Sequence, residues 1–313
     1  MSFVALILAL LIEQVRPLPE GNGLHKAISN WNHWARELIH HGQIRNAWWA
    51  WALIVILPSF LVFLIHALLI HILGWFLATV WTCLVLYACL GFRQFSHHFS
   101  TVRNAISAGQ YDDAAQALAR WKQVDKVSSD PTELNRQLIE CATLSSQRHV
   151  LGVVFWFSLL AAFGMGPLGA VLYRLTAIAQ RDWTVVQDEL MPNHGGHSEV
   201  AQRAWHVIDW MSARVTALMF AIAGNFEDAM DAWRSQALRQ SLNNDEVLIC
   251  ATSGAIGVQL SPQSKADALS DPASTSSTTA QVHHLRSLVG LVWRTMVVWV
   301  VLLGLLTLAR LLG

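Results

Sequence analysis

The sequence predicts an all-α protein, a polytopic integral membrane helical bundle with amphipathic helical hairpins between its spans. Three observations lead there. Hydrophobic residues make up 54% of the 313-residue chain and charged residues only 13%, a composition shifted from soluble averages toward the membrane class. Apolar runs at 47–92, 150–174 and 288–313 each reach the roughly 20 residues that carry a helix across a bilayer. Between them, polar stretches hold apolar residues at helical spacing. The 21 basic and 21 acidic residues cancel, so nothing in the charge balance points to nucleic acid. Cysteines at 83, 89, 141 and 250 show no CxxC spacing and read as ordinary buried thiols rather than a zinc site or a disulfide framework.

The first region, 1–92, reads as N-terminal spans with an interfacial segment. SFVALILALLIEQVR has no basic residues before it and no small-residue cleavage site after it, so it is expected to stay as a short span or an interfacial helix rather than to be removed as a signal peptide. Residues 18–47 are polar, and Trp31, Trp34, Trp48, Trp49 and Trp51 gather before the next apolar run, as indole rings do at the headgroup level. The run 47–92 exceeds one crossing and divides into helices at about 48–70 and 72–91. His66, His71 and Gly74 mark the hairpin. A histidine pair suggests a metal or proton-relay site, but histidines cost little at a span boundary, and that plainer reading is preferred.

Residues 93–149 read as a helical hairpin region. Gly109 can end one helix, Asp112 and Asp113 suit the first turn of the next, and Ser129-Asp130-Pro131 starts a third, with proline in the favoured first turn. The region 150–260 holds a central broken span and most of the motifs. Its apolar run is interrupted by Gly164-Met165-Gly166-Pro167, and irregular backbone at membrane depth is tolerated only where protein or a cavity satisfies it. The run therefore belongs inside a bundle, as a broken or re-entrant helix.

PNHGGHSE at 192–199 places two histidines in a glycine-rich loop without a third ligand at a definable spacing, and reads as a loop. The apolar stretch 211–224 is too short to span comfortably and suits a re-entrant or buried helix. AGQYDDAAQA at 108–117 echoes AGNFEDAMDA at 223–232. Both are expected to be helix corners with a glycine and an acidic cap of the same physical origin. Residues 261–287 are rich in Ser, Thr, Ala and Asp and form a flexible loop. The span 288–313 closes the chain, with Arg294 and Arg310 placed to snorkel.

The basic residues Arg16, Lys26, Arg36 and Arg45, and then Arg93, Arg103 and Arg148, favour the cytoplasm for both early polar regions. A full central crossing puts 174–287 outside. A re-entrant one keeps both regions on the cytoplasmic side, and the sequence leaves both arrangements open.

Phe155-Trp156, GPLGAVLYR at 166–174, DWMSARVTALMFAIAGNFEDA at 209–229 and SGAIGVQL at 253–260, in that order and spacing, resemble the CobD/CbiB and AmpE superfamily of integral membrane proteins over most of the chain. The CobD/CbiB branch implies ATP-consuming amide formation in cobalamin biosynthesis, joining adenosylcobyric acid to aminopropanol or its phosphate. The AmpE-like branch implies inner-membrane modulators without an established reaction. Acidic residues separate the two. Glu140 matches a glutamate of the enzymes, but Leu144 and Ser145 stand where they carry a Glu-Asn pair, and Arg148 or His149 where they carry an aspartate. Residues 175–179 lack the acid of their Asn-Thr-Leu-Asp stretch. Trp205 and His206 replace paired aspartates, Asp209 an asparagine and Ser212 a proline.

Magnesium-bound phosphates are usually held by carboxylates, and no Walker-type loop is present. The resemblance therefore leans to the AmpE-like branch, a non-enzymatic regulatory or sensory protein. The alternatives are a divergent adenosylcobinamide or adenosylcobinamide-phosphate synthase and a transporter-like helper; for the last, no convincing inverted repeat is present. Glu140, Tyr173, Arg174, Asp209 and Arg214 remain as ligand-binding candidates at the mouths of apolar helices. Arg174 and Arg214 suit a clamp for a carboxylate or phosphate, while as structural groups the same residues serve as helix-end charges and an interfacial anchor.

No catalytic residue and no metal ligand is assigned. No cofactor is expected, with ATP and magnesium entering only under the enzyme reading. The expected partners are the lipid bilayer, an unnamed small-molecule ligand and, for a bundle with a wide apolar surface, a second copy in a homodimer. The expected location is the bacterial inner membrane, crossed several times.

Overall fold

The computed structural model describes residues 2–15, 31, 47–190, 195–239, 243–258 and 282–312. Among them the regular structure is helical, with no strand. Trp34, the polar stretch around it, His194 and most of the Ser/Thr-rich segment lie outside these residues. The chain divides into two compact units, each assembled from separate stretches. The first takes 1–91 and 148–212, and the second takes 92–147 and 213–313. The motif region read from the sequence as 150–260 is thus shared between them.

In the first unit, α1 (Ser2–Val15) packs on α3 (Trp75–Cys89), α2 (Ala47–Leu73) packs on α3 and on α8 (Leu168–Leu190), and α7 (Gly152–Ala162) packs on α8. Small residues make these approaches close: Ala5, Ala9, Ala50 and Ala78 are buried among Leu6, Ile54, Val55 and Leu86. Helix α2 is long and apolar enough to cross a membrane. Trp48 and Trp49 are exposed at its start, Trp75 and Phe76 just beyond its end, which at 1.5 Å per residue puts the two aromatic pairs roughly 40 Å apart. That distance matches a bilayer with its headgroups.

Gly74, with φ +84°, makes the α2–α3 hairpin as expected. His66 does not mark it. That side chain lies inside α2, buried, with Nδ1 3.3 Å from Thr82 Oγ1, because the corner comes eight residues later at the one position whose backbone needs glycine.

The central apolar run is indeed broken. A π turn over 147–151 leads into α7, the chain turns through 163–167 with Gly164 and Gly166 at φ +81° and +57°, and α8 continues. Gly166 rests on the His66 ring: a Cβ there would stand 2.3 Å from Cδ2. The stretch 211–224 is not a separate short helix: it forms the second half of α9 (Gly195–Ala223), and residues 195–199, expected to be part of a loop, are already helical.

In the second unit, α4 (Phe92–Ser107) lines up Phe95, Phe99, Val102 and Ile106 at helical spacing against Leu118 of α5 (Tyr111–Lys122) and Leu134, Leu138 and Ile139 of α6 (Pro131–Ser146). Leu285 and Leu288 of α12 (Val282–Leu312) join this core. Asp130 caps α6 by accepting the Glu133 amide at 3.0 Å, ahead of Pro131. Residues 282–287, assigned from composition to a flexible loop, already belong to α12, because His284, Leu285 and Leu288 are buried. Helix α12 is the other element long and apolar enough to cross a membrane, and Val297, Val301, Leu305 and Leu308 are exposed along one side of it.

Both echoed segments form helix corners, α4–α5 and α9–α10 (Phe226–Arg239), but their glycines differ in reason. Gly109 has φ +74° and open space around it. Gly224 is needed for room, since a Cβ there would lie 2.8 Å from Ala255 of α11 (Asn244–Ile256). Helices α10 and α11 cross just as closely at Gly254, where a Cβ would meet the Asp228 carbonyl oxygen at 2.3 Å. Gly254→Ala is expected to destabilise the full chain by about 1–3 kcal/mol. Gly290→Ala, in α12 with nothing within 4 Å, is expected to be neutral or stabilising. Thermal unfolding in detergent, followed by circular dichroism, separates the two.

Candidate functional site

The polar interior of the first unit is built around Tyr173. Helix α8 comes close to α7 because Gly169 lies on the Trp156 carbonyl oxygen, 2.1 Å from where a Cβ would be. One turn further on, the Tyr173 ring occupies the space left open by Gly152, where a Cβ would meet the ring at 2.2 Å. The phenol then points at α9. Its hydroxyl donates to Asp209 Oδ1 at 2.8 Å, and Ser212 Oγ donates to the same oxygen at 2.9 Å. All three side chains are fully buried. Trp156 Nε1 donates to the Ile208 carbonyl oxygen at 3.1 Å, a second tie to α9, and the Trp205 ring lies 5.3 Å from that of Tyr173.

Beside this knot lies a basic group. The π turn carries Arg148 and His149 on successive residues. Its backbone is held by the Gly91 amide, which donates to the His149 carbonyl oxygen at 3.3 Å. Arg174 Nη1 lies 2.9 Å from His149 Nδ1. A guanidinium can only donate, so Nδ1 accepts and the imidazole proton sits on Nε2. The Arg148 guanidinium lies over the Trp205 ring, 5.7 Å from its centroid, a cation–π arrangement.

Of the five candidates, the structure brings Tyr173 and Asp209 into contact and sets Arg174 next to Tyr173 in sequence, paired with His149. Glu140 and Arg214 belong to the second unit. Arg136 reaches Glu140 one turn along α6 and also pairs with Glu133. Arg214 Nη1 donates to Asn244 Oδ1 at 3.1 Å, from α9 to α11. Arg174 thus finds its partner His149 within the first unit, and Arg214 its partner Asn244 within the second. The sequence reading missed Arg148, His149, Trp205 and Ser212 as partners, having treated them as residues standing in for others and Arg148 also as a topology-setting charge. Gly152 was missed altogether.

Burial holds the Glu140 carboxyl above its usual range, against the downward pull of Arg136 and Lys122 and with a further upward push from Glu133. Magnesium, implied by the ATP-dependent branch, asks for gathered carboxylates. Among the described residues no three of His, Cys, Asp and Glu come together as a metal site, and no step is assigned to magnesium.

Among the described residues the protein is all-helical, with buried polar ties and two helices long and apolar enough to cross a membrane, features that fit a membrane protein. Residues 3–292 match the CobD/Cbib protein family model, and the chain belongs to that family. It is 28% identical over 176 residues to the cobalamin biosynthesis protein CobD of Chromobacterium violaceum, covering 56% of this chain and 54% of that one. It is 25% identical over 256 residues to the cobalamin biosynthesis protein CobD of Stutzerimonas stutzeri, covering 81% and 80%. The first match thus spans about half the length of that relative. No solved structure matches. These relatives overturn the non-enzymatic, AmpE-type regulatory reading, since both carry the name of a biosynthesis protein. That reading had rested on missing acids, and a family can be kept through packing and helix order while single polar positions change.

Tyr173→Phe removes one of two hydroxyls from buried Asp209 and is expected to cost about 1–3 kcal/mol, read as a lowered unfolding midpoint, with Gly152→Ala costing at least as much because the ring must move. A carboxyl whose folded pKa is raised contributes stability that is complete below its unfolded value and fades as pH rises through the folded one. Raising pH through the carboxylate range should therefore lower the stability of the wild type relative to Glu140→Gln. A difference that stays constant with pH would contradict the effect of burial at Glu140.

Proposed function

We propose that this protein acts in cobalamin biosynthesis as a multi-pass protein of the bacterial inner membrane, at the amide-forming step that joins adenosylcobyric acid to aminopropanol or its phosphate. The observation that carries this reading is the family match over 3–292 together with relatives named for cobalamin biosynthesis. Helices α2 and α12, with the shorter apolar helices α1 and α3, support a polytopic arrangement. The reading keeps Tyr173, Arg174 and Asp209 as ligand-binding candidates in the first unit and Glu140 and Arg214 as candidates in the second. ATP is a co-substrate in this reading, and no magnesium ligands are assigned.

The test is complementation. A cell lacking its own cobinamide-forming enzyme, given this chain and fed cobyric acid, is expected to grow on a cobalamin-dependent medium and to accumulate cobinamide by mass spectrometry. Absence of both, with the protein present in the membrane fraction, would sink the proposal.

A further inference from the structure

We propose that α9 crosses the bilayer over residues 207–223, with the outer face of this stretch in lipid hydrocarbon. The inference rests on the membrane reading above and adds a crossing to it. Exposure along α9 changes chemistry twice. In its first half Glu199, Gln202, Arg203 and His206 are exposed. From Val207 to Ala223 every exposed residue is apolar, namely Val207, Trp210, Met211, Leu218 and Ile222. Asn225, Glu227 and Asp228 are then exposed just past the helix end. At 1.5 Å per residue the interval from His206 to Asn225 is roughly 28 Å, close to the roughly 30 Å of a bilayer's hydrocarbon.

The inner face carries the polar groups. Asp209, Ser212 and Thr216 recur at helical spacing and are fully buried, with the small Ala213 and Ala217 beside them. Arg214, half-buried, turns its guanidinium to Asn244 of α11. A helix on the surface of a water-soluble protein has the opposite arrangement, apolar inward and polar outward. In lipid the outward face must be apolar, and ionisable side chains turn to the protein interior. The same groups explain why the sequence shows only a short apolar run here: Asp209 and Arg214 interrupt it.

Helix α12 marks the end of the stretch. The exposed Arg294 donates from Nη1 to the Ala223 carbonyl oxygen at 3.5 Å, where the helix C-terminus favours a cation. Trp293, Val297 and Val301 are exposed on the same helix. A cation and an indole ring at the last turn of α9, with apolar side chains following, fit the headgroup edge. Lipid is the occupant because the face has the length of the hydrocarbon, ends in polar residues at both edges, and adjoins a second helix long and apolar enough to cross.

The experiment uses the unaltered full chain, one chain per disc, in nanodiscs of phosphatidylcholine that carries a diazirine at the end of one acyl chain. Light converts the diazirine to a carbene that inserts into the side chains it touches, and peptide mass spectrometry reads each site. Met211 and Leu218, near the middle of the stretch, are expected to take at least fivefold more label than Glu199 and Arg203. They are expected to match Leu61 and Leu64, exposed in the middle of α2.

Strong label on α2 with less than a fifth as much on α9, as for a helix lying on the surface, overturns the crossing and leaves the membrane reading intact. Label on neither removes both. In discs holding two chains the label on α9 is expected to persist. Its loss there, with α2 unchanged, makes a second copy the occupant and overturns the assignment to lipid.

Discussion

The hydrogen bond from Tyr173 to Asp209 is the constraint on which the first unit's interior depends. A buried carboxyl group left without hydrogen-bond partners would cost several kcal/mol, and on the inner face of α9 hydroxyls reach Asp209. Ser212 supplies one from its own helix. The other must come from α8, and a tyrosine can deliver it only because Gly152 leaves the ring a place to lie. Gly169 then sets the spacing of α7 and α8. Two glycines in an apolar run thus serve a buried acid in a third helix.

The same chain of contacts explains how the basic residues are placed. Tyr173 supports Trp205, Trp205 supports Arg148, and Arg148 and His149 share one π turn. The polar elements of this unit are therefore not independent surface charges. Each inherits its position from a neighbour, and the inheritance starts at Tyr173.

What the sequence made legible was local. Gly74, the break at 164–167, the Asp130 cap with Pro131 and the two glycine corners each announce themselves through residue chemistry acting over one turn of chain. Tyr173, Arg174 and Asp209 could be picked out as candidates because polar residues beside apolar runs are unusual. Their partners could not, because the pairing of Arg174 with His149 joins residues far apart in the chain. Gly152 was invisible for another reason: glycine is ordinary in apolar helices, and only the ring lying against it reveals its purpose. The function was misread because substituted acids were weighed above the order and spacing of the motifs, which are what packing preserves.

One consequence follows from the length of α2. The interval between its exposed aromatic pairs matches a bilayer with its headgroups and exceeds the hydrocarbon layer alone. In a thinner membrane such a helix must lean or draw the lipid up around it. Pro58 lies inside this helix, where the ring removes one backbone hydrogen bond and makes bending easier. His66 and its contact with Gly166 lie on the far side of that joint from Trp48 and Trp49. With α2 set across a bilayer, a change of thickness would reach the broken central segment through the tilt of that one helix.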